Sequence, residues 1–262
     1  MNILLEIAER TKERVEARKK VLPFLHLMEM ARSSGIVDGF PFEKALRSKD
    51  IAFICEIKKA SPSKGIIAED FPYLDIAMDY EAAGAAAISV LTEPYYFKGD
   101  DRHLRAIADI VSIPLLRKDF IVDSYMIYEA KILGASAVLL ICSILDQKTL
   151  AEYIGIAHSL GLSALVEAHD EDELKIAVNM GARIVGVNNR NLKTFELDTG
   201  ISIRLRKLVP SNIIFVSESG ISTAKDIDML RNNGVDAVLV GEKLMRSPDK
   251  KKALTALRGG GL

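Results

Sequence analysis

The sequence predicts an α/β fold, a (β/α)8 TIM barrel that follows an N-terminal helical extension. From residue 51 onward, eight short apolar runs rich in β-branched residues alternate with segments of helical period. Their spacing suits one strand and one helix per unit, as in a barrel of this type. At 262 residues the chain fits one domain, with the extension in residues 1–50 and the barrel in residues 51–262.

The apolar runs are the predicted strands, and helices are predicted in the segments around them. The strands are expected at 51–58, 85–91, 113–118, 137–141, 163–167, 183–188, 213–217 and 237–240. Between them, helical periodicity is clearest at 75–83, 124–133, 146–160, 171–179 and 223–233. In the extension, helices are expected at 3–20, 24–32 and 42–46.

A glycine ends several of these helices, in a position suited to a C-cap. The glycines are Gly84, Gly134, Gly161, Gly181 and Gly234. Four of them open the similar segments GAAAIS, GASAVLL, GARIVGV and GVDAVLV, in which a strand follows the helix directly. This weak internal repeat favours parallel strands joined by right-handed crossovers. A doubly wound open sheet could use the same units, but eight strands without a GxGxxG motif after the first favour the closed barrel.

Charged and polar residues stand where the apolar runs end. Because a strand alternates its faces, Glu56 and Lys58 project to the same side at the exit of the first strand. The exits of this and later strands carry Glu56, Lys58, Lys118, Glu167, Asn188, Arg190, Glu218 and Ser219. In such barrels the carboxyl ends of the strands form the catalytic face. One charge there can simply mark where a strand meets water, but three carboxylates and three cations at matching ends predict an active site.

The three glutamates at these ends balance the three cations. Charges a few ångströms apart beneath a covering loop interact at an effective dielectric constant of about 20, so each pair is worth a few kcal/mol. Such crowding shifts pKa values, as general acid–base catalysis requires. We expect a lysine among other cations to have a lowered pKa and to donate a proton near neutral pH.

Two glycine-containing segments late in the chain predict an anion site. SESGIS (217–222) and VGEKLM (240–245) place Gly220 and Gly241 between an apolar strand and a helix. Glycine lets the backbone approach an anion closely, and N–H groups at helix N-termini bind phosphate. Each glycine alone is more typical of a turn. As a pair they predict a phosphate site, because barrels often bind phosphate after strands seven and eight.

Composition limits the partners. A formal net charge of −1 and a pI near 6.5 provide no overall attraction for nucleic acid or an anionic membrane. The first twenty residues are amphipathic and carry acidic residues along their length, unlike a signal peptide, and no apolar run reaches membrane-spanning length. Cys55 and Cys142 are expected to be buried thiols, which suits a reducing compartment. We therefore expect a cytoplasmic protein, monomeric or at most a weak homo-oligomer, that binds neither nucleic acid nor membrane.

Taken together, the strand-end segments resemble indole-3-glycerol phosphate synthases, carboxy-lyases of tryptophan biosynthesis. The matching stretches are EIKKASPSKG (56–65), LTEPYYFKG (91–99), LLRKDFIVDSYMIYEA (115–130), LVEAHD (165–170), VGVNNRNLKTFELD (185–198), SESGIS (217–222) and VLVGEKLMR (238–246). The resemblance implies ring closure of 1-(2-carboxyphenylamino)-1-deoxyribulose 5-phosphate to indole-3-glycerol phosphate, with loss of carbon dioxide and water. It implies a phosphorylated small-molecule substrate, no cofactor and no metal.

The resemblance also implies a role for each site residue. Lys118 matches the family's general acid, and Lys58 matches the lysine near the substrate carboxylate and a second candidate acid for dehydration. Glu167 matches the base, and Glu56 the charge network beside it. Glu218 and Asn188, which positions the substrate and the partner carboxylates, complete the catalytic set. The binding residues are Arg190 and Ser219 around the substrate, Gly220, Gly241 and Ser61 around the phosphate, and Phe97 and Phe120 along the anthranilate ring. Core packing would explain the two aromatic residues equally well.

Two other interpretations stay open on the residues alone. A strand-end lysine also suits a Schiff-base aldolase with Lys118 or Lys58 as nucleophile, and such a barrel can persist as an inactive binding subunit. Three glutamates and an aromatic-lined pocket disfavour the first, and the complete set of charged residues disfavours the second. Segment 59–73 is the expected mobile lid. The extension is expected to cover the open bottom of the barrel or the mouth of the site.

Overall fold

The strands close into a parallel barrel in a computed structural model, which describes residues 3–35, 39–190 and 196–259. Numbered along the chain, they are β1 Ala52–Ile57, β2 Ala87–Leu91, β3 Leu115–Lys118, β4 Ala137–Ile141, β5 Ser163–Ala168, β6 Ile184–Asn188, β7 Ile214–Glu218 and β8 Ala237–Val240. Each strand pairs with its neighbour in sequence, and β8 pairs with β1, with Ala52 opposite Ala237. The predicted (β/α)8 barrel is confirmed, and the open sheet is excluded.

Helices surround the barrel and precede it. They are α1 Ile3–Val21, α2 Phe24–Ser33, α3 Pro41–Leu46, α4 Tyr73–Ala82, α5 Asp101–Ala108, α6 Tyr125–Ile132, α7 Gln147–Ser159, α8 Glu171–Asn179, α9 Gly200–Arg206, α10 Ala224–Asn232, α11 Glu242–Met245 and α12 Lys250–Leu257. Among the residues that the structure describes, no helix is both long enough and apolar enough to cross a bilayer.

The helix ends follow from local sequence. Asp100, Asp146 and Asp170 precede α5, α7 and α8, and each accepts a hydrogen bond from a backbone N–H of the first turn. Gly134 follows α6 with a left-handed φ of 88°, and an added Cβ there would lie 2.7 Å from the Cβ of Ala108. The predicted glycine stop is therefore required here both by conformation and by packing.

One apolar cluster fills the barrel, and helices of the extension close both of its ends. Phe42 and Leu46 of α3 and Leu4 and Ile7 of α1 are all buried in this cluster. Glu43 of α3 forms an ion pair with Arg183, the residue directly before β6, so α3 covers the amino ends of the strands. Helix α1 instead lies over their carboxyl ends. The extension thus covers both of the expected places: α3 covers the bottom of the barrel, and α1 covers the mouth of the site.

Candidate active site

A cavity opens between α1 and the carboxyl ends of the strands. Apolar side chains of α1, among them Ile3 and Ile7, form part of its wall. All the residues predicted to form the site line this cavity: Glu56, Lys58, Ser61, Phe97, Lys118, Phe120, Glu167, Asn188, Arg190, Glu218, Ser219, Gly220 and Gly241. The two-residue alternation along each strand selects which side chains share a face. The closure of the barrel then brings residues from opposite ends of the sequence into one cavity.

The centre of the cavity is a cluster of buried carboxyl groups and lysines. Lys118 Nζ lies 3.3 Å from Glu167 Oε2 and 3.5 Å from Glu218 Oε2. Lys58 forms an ion pair with Glu56 on the same strand exit. The three glutamates are at most 4% exposed. Their electrostatic interactions are therefore stronger than those of surface pairs.

Two glycines leave the space that these carboxyl groups occupy. An added Cβ on Gly186 of β6 would lie 2.2 Å from Glu218 Oε1 and 3.2 Å from Leu165 Cδ1. An added Cβ on Gly241 would lie 2.3 Å from Glu56 Oε1. Gly241, which the sequence marks as a phosphate glycine, is thus also required next to the acidic cluster.

The expectation of a lowered lysine pKa is wrong for Lys118. Burial does lower the pKa of Lys118, but the negative charges of Glu167, Glu218 and Glu56 outweigh burial and raise it. Cations and acids are equally numerous at the strand ends, whereas the nearest neighbours of this lysine in space are acids. Lys118 therefore carries its proton throughout the neutral range.

The two carboxyl groups that face Lys118 shift in opposite directions. Burial raises the pKa of Glu218 to about 7; Lys118 opposes this shift, while Glu167 and Glu56 add to it. Burial also raises the pKa of Glu167, but Lys118 and His169 together hold it below its ordinary value. The group of this cluster that titrates near neutral pH is consequently a carboxyl group.

His169, which directly follows β5, contacts the site residue Glu167 and was not singled out by the sequence. Its Nε2 lies 3.2 Å from Glu167 Oε1, and its Nδ1 lies 3.0 Å from Glu173 Oε2. Burial lowers the pKa of His169, but its two carboxylate neighbours raise it to about 10. Its position directly after the strand in LVEAHD is the sequence signal that could have identified it.

Asn189 organises the loop that follows β7. Its Nδ2 donates to Ser217 Oγ and to the carbonyl oxygen of Ser219, both at 3.0 Å, and its Oδ1 accepts from Ser202 Oγ at 2.7 Å. Ser219 has a φ of 69°, a left-handed conformation that is uncommon outside glycine, and Gly220 follows with 79°. The buried Asn189 side chain thus holds the backbone turn that presents Gly220 to the cavity.

Glu93 holds the loop after β2 that carries the aromatic wall of the cavity. Its carboxylate accepts hydrogen bonds from the backbone N–H groups of Tyr95, Tyr96 and Phe97 at 2.7–2.9 Å. The rings of Phe97 and Phe120 lie 6.0 Å apart and form one side of the cavity. The sequence signal for Glu93 is an acid placed two residues after an apolar strand.

Helix α1 is fastened to the strand that carries Lys118. Arg14 Nη2 donates to both carboxylate oxygens of Asp119, each at 2.8 Å, and the two side chains are 8% and 0% exposed. Asp119 also accepts from the backbone N–H of Phe120. Helix α1, which covers the cavity, is therefore anchored at Asp119, between the wall residues Lys118 and Phe120.

The segment after β1 is a short hairpin. Ala60–Ser61 pairs with Gly65–Ile66, and the Ala60 N–H donates to the carbonyl oxygen of Phe97 at 3.2 Å. Mobility of segment 59–73 stays a prediction. Cys55 and Cys142 are buried thiols as expected, and burial raises the pKa of each to about 12. Within the described residues, no group of three or more His, Cys, Asp or Glu side chains is placed to hold a metal ion.

Comparisons with known proteins identify the family of this chain. The family model described as indole-3-glycerol phosphate synthase matches residues 4–257. An indole-3-glycerol phosphate synthase of Ruminiclostridium cellulolyticum is 61% identical over 257 residues, and one of Endomicrobium trichonymphae is 54% identical over 256; in both cases 98% of this chain and 99% of the relative are covered. A mutant tryptophan synthase alpha-subunit of Pyrococcus furiosus shares the barrel, with a TM-score of 0.61 over 80% of this chain and 99% of its own, at 16% identity. The chain thus belongs to the indole-3-glycerol phosphate synthase family.

Proposed function

We propose that this enzyme converts 1-(2-carboxyphenylamino)-1-deoxyribulose 5-phosphate to indole-3-glycerol phosphate. The observation that carries the proposal is Lys118, which lies within 3.5 Å of both Glu167 and Glu218 in a cavity with an aromatic wall and glycine-containing loops. Closing an aromatic ring onto a ketone, losing a carboxylate and expelling a hydroxyl require proton donors and a proton acceptor at separate points. Two lysines and a glutamate at different strand ends supply them.

In the first step, Lys118 donates its proton to the ketone oxygen while the ring carbon bonds to the ketone carbon. The raised pKa of Lys118 keeps the donor charged at neutral pH, so it also stabilises the negative charge that develops on that oxygen. The carboxylate then leaves as carbon dioxide, and the electron pair of the broken bond returns to the ring. Lys58 protonates the departing hydroxyl, and Glu167 takes a proton from the ring being formed.

The remaining residues place the substrate. Phe97 and Phe120 face the anthranilate ring, and the backbone at Gly220 and Gly241, with Ser61, holds the phosphate. Arg190 and Ser219 contact the substrate between these ends. Asn188 donates from Nδ2 to Glu167 Oε1 at 3.4 Å and so orients the base. Glu56 forms an ion pair with Lys58 and so holds its side chain in the cavity.

The test is turnover of the carboxyphenylamino substrate followed by indole fluorescence. The chain contains no tryptophan, so excitation beyond the tyrosine band reports the product almost without protein background. We expect signal from the parent enzyme and a loss of at least about a hundredfold in Lys118→Ala, the range of general acid catalysis. Lys12→Ala, on an exposed face of α1, is the control and should match the parent.

The alternatives give different results. A Schiff-base aldolase would be inactivated by borohydride with a keto-phosphate, because the reduced imine stays on the lysine, whereas the synthase route forms no imine. An inactive barrel would bind the product tightly without turnover. Signal that survives in Lys118→Ala would keep the reaction but remove Lys118 as its essential acid.

We further propose that the enzyme acts in the cytoplasm as a single-domain monomer whose segment 59–73 closes over bound substrate. Two buried thiols support a reducing compartment, and the burial of α1 and α3 residues in the barrel cluster supports one folding unit. Light scattering coupled to size exclusion measures the mass. Limited proteolysis with and without a phosphate-bearing product analogue tests the lid, and unchanged cleavage within 59–73 would contradict it.

A further inference from the structure

The two carboxyl groups that face Lys118 have unequal surroundings. Glu167 uses both oxygens: Oε2 contacts Lys118, and Oε1 accepts from Asn188 and lies 3.2 Å from His169 Nε2. Glu218 contacts Lys118 through Oε2 at 3.5 Å. Its Oε1 is buried against Gly186 and has no hydrogen-bond partner among the described residues. One carboxyl group is therefore well solvated by the protein, and the other is not.

The His169 ring lies between two acids, one at each nitrogen. Nδ1 is 3.0 Å from Glu173 Oε2, and the backbone N–H of His169 donates to the same oxygen at 2.9 Å. A neutral imidazole can donate from only one of its nitrogens, whereas the imidazolium donates from both. The structure aligns a hydrogen bond at Nδ1, whereas Nε2 makes none among the described residues. A carboxylate oxygen within 3.2 Å of each nitrogen nevertheless favours the charged ring, in agreement with the raised pKa of His169.

Carboxyl groups that share one lysine in a buried site do not all ionise together, because like charges at short range disfavour each other's ionised form. The proton goes to the group whose charge is least stabilised. An unpaired buried oxygen costs less on a neutral carboxyl group than on a carboxylate. Glu218, with its unpaired oxygen, is the group whose charge is least stabilised. The charge of Glu167 is better stabilised, because Lys118, Asn188 and His169 surround it.

We propose that His169 is a positioning residue that keeps Glu167 deprotonated and aligned on Lys118, so that the Glu218 carboxyl group carries the exchangeable proton of this cluster. The catalytic consequence rests on the proposed function. The location of the proton does not.

The proton on Glu218 has a use in the reaction. Two protons are donated to the substrate oxygen, one at ring closure and one as it leaves as water, and one proton is taken back from the ring. The substrate carboxylate leaves as neutral carbon dioxide, so each turnover consumes one proton. After Lys118 has protonated the ketone, its Nζ, which lies 3.5 Å from Glu218 Oε2, receives the proton of the Glu218 carboxyl group, and Glu218 becomes a carboxylate until solvent reloads it.

Several charged groups face these residues and are part of any pH dependence. Glu218 is faced by Lys118 of β3, Glu167 of β5 and Glu56 of β1. His169 is faced by Glu167 of its own strand exit and by Glu173 of α8. A change in pH profile must therefore be assigned by substitution and not from the profile of the parent alone.

The direct test is infrared spectroscopy of ligand-free enzyme whose glutamate side-chain carboxyls are labelled with carbon-13. Exposed carboxyl groups lose their protons near their ordinary pKa of about 4.3, so a carboxylic acid band that persists at about pH 6 reports a raised group. We expect this band in the parent and in His26→Gln, a matched change on the exposed face of α2. It should be absent from Glu218→Gln. In His169→Gln, Glu167 should hold a proton to higher pH, and the band should grow.

A band that survives in Glu218→Gln would overturn the proposal, as would a band in His169→Gln that titrates as in His26→Gln. Neither result depends on turnover, so both are distinct from failure of the proposed reaction. If His169→Gln does not fold, Glu173→Gln replaces it, since loss of one carboxylate weakens the imidazolium. The band should then grow less but in the same direction, and an unchanged band overturns the proposal.

Turnover supplies the second measurement. Removing the imidazolium charge that lies 3.2 Å from Glu167 Oε1 should lower kcat of His169→Gln by roughly tenfold to a hundredfold. KM should stay near that of the parent, because His169 is not among the residues that line the cavity. The acidic limb of the kcat profile should move to higher pH as Glu167 gains proton affinity. A uniform loss at every pH would indicate a structural role only and would contradict the proposal.

Discussion

Replacing Arg14 with alanine is expected to weaken the attachment of helix α1 to the barrel. Asp119 would lose two hydrogen bonds of 2.8 Å while staying fully buried. Breaking a buried ion pair by removing one partner costs about 3–5 kcal/mol. Asp119 keeps its hydrogen bond from Thr92 Oγ1 at 2.7 Å and lies 3.6 Å from Arg117, so we expect the lower end, about 3 kcal/mol. At roughly 2–4 °C per kcal/mol, Tm should fall by about 6–12 °C.

The assay is urea unfolding followed by circular dichroism at neutral and acidic pH. Burial raises the pKa of Asp119, but Arg14 and Arg117 hold it below its ordinary value. The stabilisation is therefore present above the unfolded pKa of about 3.9 and is lost as pH falls through the folded value. The difference between parent and Arg14→Ala should shrink at acidic pH. Lys12→Ala removes only an exposed pair and should change stability by less than about 1 kcal/mol. An Arg14→Ala effect no larger than this control at neutral pH would refute the reasoning.

Three further changes test other parts of the structure. Gly186→Ala places a Cβ 2.2 Å from Glu218 Oε1, so it should displace that carboxyl group and lower kcat/KM by at least about tenfold, measured by indole fluorescence. Glu93→Ala removes the acceptor of three backbone N–H groups, so the loop with the aromatic wall should loosen and KM should rise in steady-state kinetics. Burial, and to a lesser extent Arg183, lowers the pKa of His158 from 6.5 to about 4. The free energy of unfolding should therefore fall as pH is lowered from about 6.5 to about 4. In urea titrations, His158→Gln should remove the part of this pH dependence that His158 contributes.

Each of these has an outcome that contradicts it. Gly155→Ala is the control for Gly186→Ala, because Gly155 lies in α7 with no atom near an added Cβ. It should stabilise the protein by about 0.5–1 kcal/mol and leave turnover unchanged. Equal activity in the two alanine variants would show that Glu218 needs no space at Gly186. The prediction for Glu93→Ala would be contradicted by an unchanged KM. The prediction for His158→Gln would be contradicted by the same pH dependence of unfolding as in the parent.

Much of the barrel could be predicted from the sequence because its signals are local. Apolar β-branched runs set the strands within two residues of their observed ends, and their alternation placed Glu56 and Lys58 on the same side. Glycine stops such as Gly134 marked where helices end. These features depend on neighbours in the chain, so they need no knowledge of the fold.

What could not be predicted depends on residues far apart in the sequence. The direction of the Lys118 pKa shift follows from three glutamates on three other strands, and a count of charges does not show which lie nearest. Arg14 and Asp119 are 105 residues apart, so neither indicates its partner. The sequence does not indicate a charge on His169, which follows only from the two acids that the fold places at its ring nitrogens.

The closure of the barrel has a consequence during synthesis on the ribosome. Strand β1 pairs with β2 on one edge and with β8 on the other, and Ala52 lies opposite Ala237. One hydrogen-bonding edge of β1 therefore stays open until nearly the whole chain has been translated. Open strand edges recruit other chains, and pairing over long sequence separations is slow. Nascent chains that stop short of β8 leave one edge of β1 and one edge of β7 unpaired, so they are the species most exposed to aggregation and most dependent on chaperones.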